Sequence, residues 1–323
     1  MIILGIETSC DETSASIVQN GRYVLSNIIA SQIDIHAPFG GVVPELAARS
    51  HISNINFIVN ASLDEAKLDI NDIDAYAVTN GPGLAGALLV GLNYAKGLAF
   101  ATKKPIIGVN HIEGHVSANY IDTDLQPPFL SLVVSGGHTS LIAVDSYTKH
   151  TTIGSTKDDA VGEVFDKIAR IMNLGYPGGP IIDNLAENGD INIKFPIAKI
   201  DGLNFSFSGL KTAVMQFLQK NNDIKKEDCA ASFRQAIINA LIEKTSLALD
   251  KYKTLTISGG VACNIGLRRA MDNLCKDKGV KLFMPKPIYC TDNAAMIASQ
   301  GYFALQAKKS DGLDLNAFPR RRV

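Results

Sequence analysis

The same succession of apolar runs, polar turns and helical stretches occurs twice along the 323 residues, and this repetition constrains the fold more than any other feature. Residues 2–6 are an apolar run followed by a polar turn, 7–13, a returning run, 14–18, and a third short run, 23–29. Residues 129–134, the glycine-containing turn 135–139, and the runs 140–144 and 151–154 repeat that order, and runs of this length and residue type read as strands. Both halves then turn helical. A helix over 44–65, a strand over 75–79, the turn Gly81-Pro82-Gly83, an apolar helix over 84–101 and a strand over 105–109 complete the first half. Its counterpart has a helix over 229–252, a strand over 254–257, the turn Ser258-Gly259-Gly260, a helix over 264–278 and a strand over 281–284. The residues themselves barely match, so the repeat is one of pattern. It implies an α/β protein of two related lobes, each a mixed sheet flanked by helices, with a central cleft. We place lobe I at 1–110 and lobe II at 111–293, with an insertion over about 175–222 where the pattern lapses. The C-terminal helix and tail, 294–323, cross back to lobe I.

Composition narrows the classes. With 31 basic and 32 acidic side chains the formal charge is -1, so any nucleic-acid contact must rest on a local patch. Arg268, Arg269 and Arg320 to Arg322 are candidates for a nucleic-acid backbone, although such clusters more commonly form a solvated face. Five cysteines without a CxxC pair argue against a zinc knuckle or a secreted disulfide scaffold. The start lacks a basic, long apolar leader, which points to the cytoplasm. The stretch 84–101 carries Asn93, Tyr94 and Lys96, so we expect a helix buried between layers rather than a membrane span.

The segment Asn110-His111-Ile112-Glu113-Gly114-His115 sets two imidazoles four residues apart, on one face of a helix and within reach of one ion. It follows the last strand of the first half, and Thr291-Asp292-Asn293 follows the last strand of the second. Related halves would bring those ends together, so Asp292 is expected to complete a site with His111 and His115. The plainer alternative is a helix-capping Asp292 and two surface histidines. A zinc protease would need glutamate where Ile112 stands. Gly81-Pro82-Gly83-Leu84-Ala85-Gly86 is formally GxGxxG but lacks the acidic partner about twenty residues on, so tight packing explains it as well as a dinucleotide does. No GxxxxGK[ST] loop occurs. The turn 7–13 gathers Glu7, Asp11 and Glu12, which suits a cation or a nucleophile, or is simply solvated.

Two hairpin turns of this kind resemble the duplicated actin-like ATPase and sugar-kinase (ASKHA) fold, in which the backbone N–H groups of Gly136 and Gly137 would be free to hold phosphate. More specifically, the chain resembles the tRNA adenosine threonylcarbamoyltransferase family, formerly described as O-sialoglycoprotein endopeptidases, in the bacterial catalytic-subunit form. The likeness is carried in order by residues 5–13, 40–47, the histidine motif, Ser135-Gly136-Gly137-His138-Thr139, Tyr176-Pro177-Gly178-Gly179-Pro180, residues 205–212, and Gly259-Gly260-Val261-Ala262-Cys263-Asn264. The resemblance implies transfer of a threonylcarbamoyl group from threonylcarbamoyl-adenylate, with loss of AMP, to N6 of the adenosine adjacent to the anticodon in tRNAs reading ANN codons. It implies one divalent metal ion on His111, His115 and Asp292, iron or zinc foremost and magnesium as an alternative. Nucleotide and substrate contacts are implied at Val133, Val134, Ser135, Gly136, Gly137, Asp166, Gly179, Asp183 and Asn264. A paralogous accessory subunit, docking around residues 47–60, and a small ATPase are implied partners, with no membrane. Asp11 is our candidate for the group that takes the amine proton. One departure is that Phe195-Pro196 continues as Ile197-Ala198, without the arginine many relatives carry there. A sugar or acyl-phosphate kinase on the same fold would hold magnesium through carboxylates and phosphates, and a non-catalytic scaffold subunit of the modification complex would lack the histidines.

Overall fold

The structure is a computed structural model that describes residues 1–221, 223–320 and 323. The repeat seen in the sequence is a repeat of topology. Strands β1 (Ile2–Glu7), β2 (Glu12–Gln19) and β3 (Tyr23–Ser31) form an antiparallel meander. Strands β4 (Ala75–Gly81) and β5 (Ile106–Asn110) add in parallel beyond β1, giving the order β3-β2-β1-β4-β5. The second sheet has the same plan, β8-β7-β6-β9-β10, from β6 (Phe129–Val134), β7 (Thr139–Ser146), β8 (Lys149–Ser155), β9 (Thr254–Ser258) and β10 (Lys281–Phe283). In it Leu130 faces Ala143 across an antiparallel pair and Leu255 across a parallel one. The central strands β1, β4 and β6 are buried almost throughout, so they read as unbroken apolar runs rather than alternating ones.

The chain divides into two compact units, Met1–Pro127 with Asp145–His150 and Pro285–Val323, and Pro128–Val144 with Thr151–Met284. The boundary drawn from the sequence at residue 110 therefore falls at Pro127, and residues 285–293 lie with the first unit. In the first unit, helices α2 (Pro44–Ala66) and α3 (Ala85–Thr102) cover one sheet face, Ile55, Val59 and Leu92 packing on Leu4, Ile6 and Val78. Short α1 (Ile33–His36) leads into α2. The other face, Ile3, Ala77 and Ile107, is covered by α10 (Ala294–Gln306) through Ala295 to Ala298. Gly5 makes this possible, because a Cβ there would sit 2.3 Å from the carbonyl oxygen of Ala294. Helix α4 (His111–Ser117) follows β5 directly and packs on α10, which keeps it in the first unit.

Helix α3 differs from expectation. It is buried on one side only, with Leu89 and Phe100 exposed on the other. No described helix is long and apolar enough to cross a membrane.

In the second unit α5 (Val161–Ile171), α6 (Gly178–Ala186), α7 (Ser208–Lys220), α8 (Lys226–Leu249) and α9 (Ile265–Lys278) flank the sheet. The insertion expected to be loop thus contains two helices, and Asn222 at its end lies outside the described residues. The stretch between α6 and α7 is irregular. It is anchored where Phe205 pairs its backbone with Ser155 and Lys157, and where Asp158 accepts from Ser206 Oγ and Phe207 N.

Candidate metal centre and glycine turns

His111 opens α4, whose first turn is capped by Asn110 Oδ1, accepting from the N–H groups of Ile112 and Glu113. One turn on, His115 lies on the same face, its ring centroid 4.6 Å from that of His111. Asp292 stands immediately before α10 and does not cap it; Asn293 does, accepting from Met296 N. The carboxylate is left to face the imidazoles, with Oδ1 3.4 Å from His111 Nε2 and 3.3 Å from His115 Nε2. The three residues each offer a ligand atom, all within 4.8 Å of one another. Atoms about 2 Å from one ion lie within about 4 Å of each other, so small side-chain rotations would close the set.

The structure brings these three side chains together by a route other than convergence of two halves. All three belong to the first unit, because α10 returns across 280 residues to lie on the sheet that begins the chain, as shown by Ala294 N donating to Ser14 Oγ. The alternative of two surface histidines is overturned, since both are buried.

Glu7 is the residue that sequence reasoning missed as a partner of this site. It ends β1 fully buried, accepts from Thr79 Oγ1 and Ser9 N, and its Oε2 lies 3.0 Å from His111 Nδ1. A carboxylate at Nδ1 fixes that proton and turns Nε2 toward an ion. The clue was available: an acid closing a five-residue apolar strand must be paired when buried. Burial pushes the His111 pKa down, but Asp292 and Glu7 outweigh it and hold it well above the ordinary value. Burial likewise opposes ionisation of Asp292, yet the imidazoles keep it well below the usual carboxylate range. His115 is lowered by burial. Its Nδ1 is buried without a hydrogen bond, and its buried Nε2 has the Asp292 oxygen 3.3 Å away, outside good hydrogen-bond geometry, a weak contact that coordination of an ion by Nε2 would replace. Two imidazoles and a carboxylate, one imidazole oriented by a second acid and all three turned toward one another, fit a divalent metal ion.

Glu113 lies against His150 instead, 3.4 Å from its Nδ1. Around the β1–β2 turn, Asp11 is buried and Glu12 half-buried, so the solvated reading of these acids does not hold. Burial, then the charges of Asp292 and Asp11, push Glu12 well above its ordinary pKa. Gly83, between β4 and α3, packs against this turn: a Cβ there would come within 2.6 Å of the Ser9 carbonyl oxygen, and Leu84 N donates to that same oxygen. Close packing therefore accounts for the GxGxxG look-alike.

The second unit carries the other candidates. Val133 and Val134 are buried at the end of β6, and Ser135 to Gly137 form its turn. Ser135 Oγ accepts from His138 N, and Gly162 N donates to the Ser135 carbonyl. Gly136 and Gly137 are exposed, have no left-handed φ, and a Cβ on either would meet nothing within 4 Å. Neither a left-handed backbone nor packing among the described residues requires glycine there. Gly179 has the same character on α6. Asp166 accepts from Gly178 N, and Asn264 caps α9 through Leu267 N. Asp183 is more committed than expected, with Oδ1 on Arg234 and Oδ2 on Ile265 N. Gly259, with φ +91°, lies 2.3 Å from the Val134 carbonyl oxygen at the Cβ position and locks β9 against β6. Of the arginine candidates, Arg269 pairs with Glu187 and Arg268 binds the Ala262 carbonyl, while Arg321 and Arg322 lie outside the described residues.

Residues 23–299 match the family model described as tRNA N6-adenosine threonylcarbamoyltransferase. A protein of that name from Clostridioides difficile (strain 630) is 55% identical, the match covering 100% of this chain and 98% of the relative. One from Clostridium perfringens (strain SM101) is 54% identical with the same coverage. Among solved structures, HypF of T. kodakarensis superposes with a TM-score of 0.66 at 13% identity, over 95% of this chain and 48% of that one, a likeness of fold alone.

Proposed function

The chain belongs to the tRNA N6-adenosine threonylcarbamoyltransferase family, and from that premise we propose that it takes the threonylcarbamoyl group from threonylcarbamoyl-adenylate. The acceptor is N6 of the adenosine adjacent to the anticodon in tRNAs reading ANN codons. The amine nitrogen bonds to the carbamoyl carbon, the carbon–oxygen bond to the phosphate breaks, and AMP leaves. The observation that carries this reading is the set of buried His111 and His115 with half-buried Asp292, and Glu7 behind His111.

That set would hold one divalent metal ion, iron or zinc by its nitrogen content, since magnesium prefers oxygen ligands. The chemistry such an ion would supply when bound is positive charge that stabilises developing negative charge. The remaining work falls to side chains and backbone. The N–H groups at Gly136 and Gly137 bind phosphate oxygens, with Val133, Val134 and Ser135, whose own N–H donates to the His138 carbonyl, setting the strand end behind them. Asp166, Gly179 and Asn264 line the adenylate contact, and Asp183 acts by fixing the start of α9 through Ile265. Asp11 takes the proton from the attacking amine. Purified protein given preformed adenylate and unmodified tRNA should yield the modified nucleoside by mass spectrometry, and chelator should abolish it. Modification that persists after complete metal removal overturns the metal's part.

The exposed Ile52 and Phe57 on α2 support docking of a paralogous accessory subunit over residues 47–60, with a small ATPase as a further partner, in the cytoplasm. Light scattering of the free and mixed proteins tests it; a mixture that scatters as separate components contradicts it.

A further inference from the structure

Beneath the β1–β2 turn lies a buried polar chain that neither the metal set nor the glycine turns use. Val43 N donates to His36 Nδ1 at 3.3 Å; His36 Nε2 lies 3.2 Å from Gln32 Oε1; Gln32 Nε2 lies 3.3 Å from His51 Nδ1; and His51 Nε2 lies 3.0 Å from the Cys10 carbonyl oxygen. His36, Gln32 and His51 are fully buried. Both ends fix the proton positions. A carbonyl oxygen only accepts, so His51 carries its proton on Nε2; a backbone N–H only donates, so His36 carries its own on Nε2 too. The Gln32 amide fits between them in one orientation, oxygen toward His36 and nitrogen toward His51, and its nitrogen also faces the Ala47 carbonyl. Thr13 Oγ1, 2.8 Å from His51 Nδ1, donates to the same lone pair. Every contact is thereby satisfied with two neutral rings and no buried cation.

The far end of this chain is the turn that carries Asp11. Three consecutive carbonyls of that turn are each held: Ser9 O by Leu84 N, Cys10 O by His51 Nε2, and Asp11 O by Gln32 N. Of these three bonds, the one to Cys10 alone comes from a side chain. We infer that His51 is a positioning residue for the transfer reaction, holding the Cys10–Asp11 backbone through a one-directional hydrogen-bond chain that begins at Val43 on the threshold of α2. This rests on the reading of Asp11 as the proton acceptor. A misplacement of about 1 Å in such a group costs on the order of 100-fold in rate.

The test is single-turnover transfer from preformed threonylcarbamoyl-adenylate, with steady-state kcat and KM for tRNA, on His51→Ala, His51→Gln and Asp11→Asn. Glutamine can place an N–H donor toward Cys10 O where alanine cannot. His51→Ala should lower kcat by about 10-fold to 100-fold with KM little changed, and His51→Gln should recover most of it. Nitrogen-15 spectra of the histidines in the unmodified chain should show residues 36 and 51 as neutral rings protonated at Nε2. Wild-type kcat in His51→Ala, equal losses in both variants, or a ring protonated at Nδ1 each overturn the inference. Should His51→Ala fail to fold, the glutamine variant and the spectra decide it. Full activity in Asp11→Asn would remove the acceptor role from Asp11, while the positioning role would still be judged on the variants at residue 51 alone.

Discussion

At the scale of single residues, the candidate metal centre is defined as much by Glu7 as by the ligands. The Glu7 carboxylate keeps a proton on His111 Nδ1 and leaves Nε2 to face Asp292. Replacing it with glutamine keeps the shape but removes the charge, so Glu7→Gln should weaken metal affinity by about 10-fold to 100-fold, as read by metal titration of the chelated protein. His115→Ala should lose the metal outright while the unit stays folded, since Asp292, the partner it leaves, is half-buried and keeps His111 beside it. The glycines separate by the same kind of argument. Gly259→Ala places a side chain at a φ of +91° and against the Val134 carbonyl, and should cost at least about 1–3 kcal/mol by denaturant unfolding. Gly136→Ala meets nothing and should leave stability unchanged, yet lower transfer if phosphate approaches that backbone. The motif around His111 and His115 could be read from spacing, whereas the role of Glu7 could not, because its partners Thr79 and His111 lie 72 and 104 residues away.

At the scale of elements, strands and long helices followed from apolar periodicity, and the errors came where short helices hide among turn residues. Helix α6 starts Gly178-Gly179-Pro180, which reads as a turn, but Ile182 and Ala186 four residues apart are buried and make it a packed helix. Helix α7 is held by its docking, in which Asp159 pairs with Lys167 and Lys211 and Asp158 accepts from Ser206 and Phe207. Burial opposes ionisation of both acids, but these bonds prevail and keep their folded pKa values below 3.8. A depressed acid contributes stability above its unfolded pKa and loses it as pH falls through the folded one. Amide exchange over 205–211 should therefore stay slow as pH drops to about 4 and become fast only below the depressed values, once corrected for intrinsic exchange. Fast exchange already near pH 5 would contradict this anchoring.

At the scale of the whole molecule, two units of one topology differ in how they are completed. The first is finished by α10, which is buried over Ala294 to Gly301 and reaches its sheet only after the second unit has been made. A chain ending at Met284 should thus fail to give cooperative unfolding of the first unit, as followed by calorimetry, because one face of its sheet would be left in water. Apolar runs, their period and the glycine turns by themselves determined that the chain is a duplicated α/β protein, because burial on one face or both is a local pattern that any window of sequence displays. The tertiary structure alone decided that Asp292 sits in the same unit as the histidines, that Glu7 backs His111, and that His51 reaches Cys10. Those are contacts between residues far apart in the chain, and a pattern of nearest neighbours carries no record of which distant backbone a buried ring will meet.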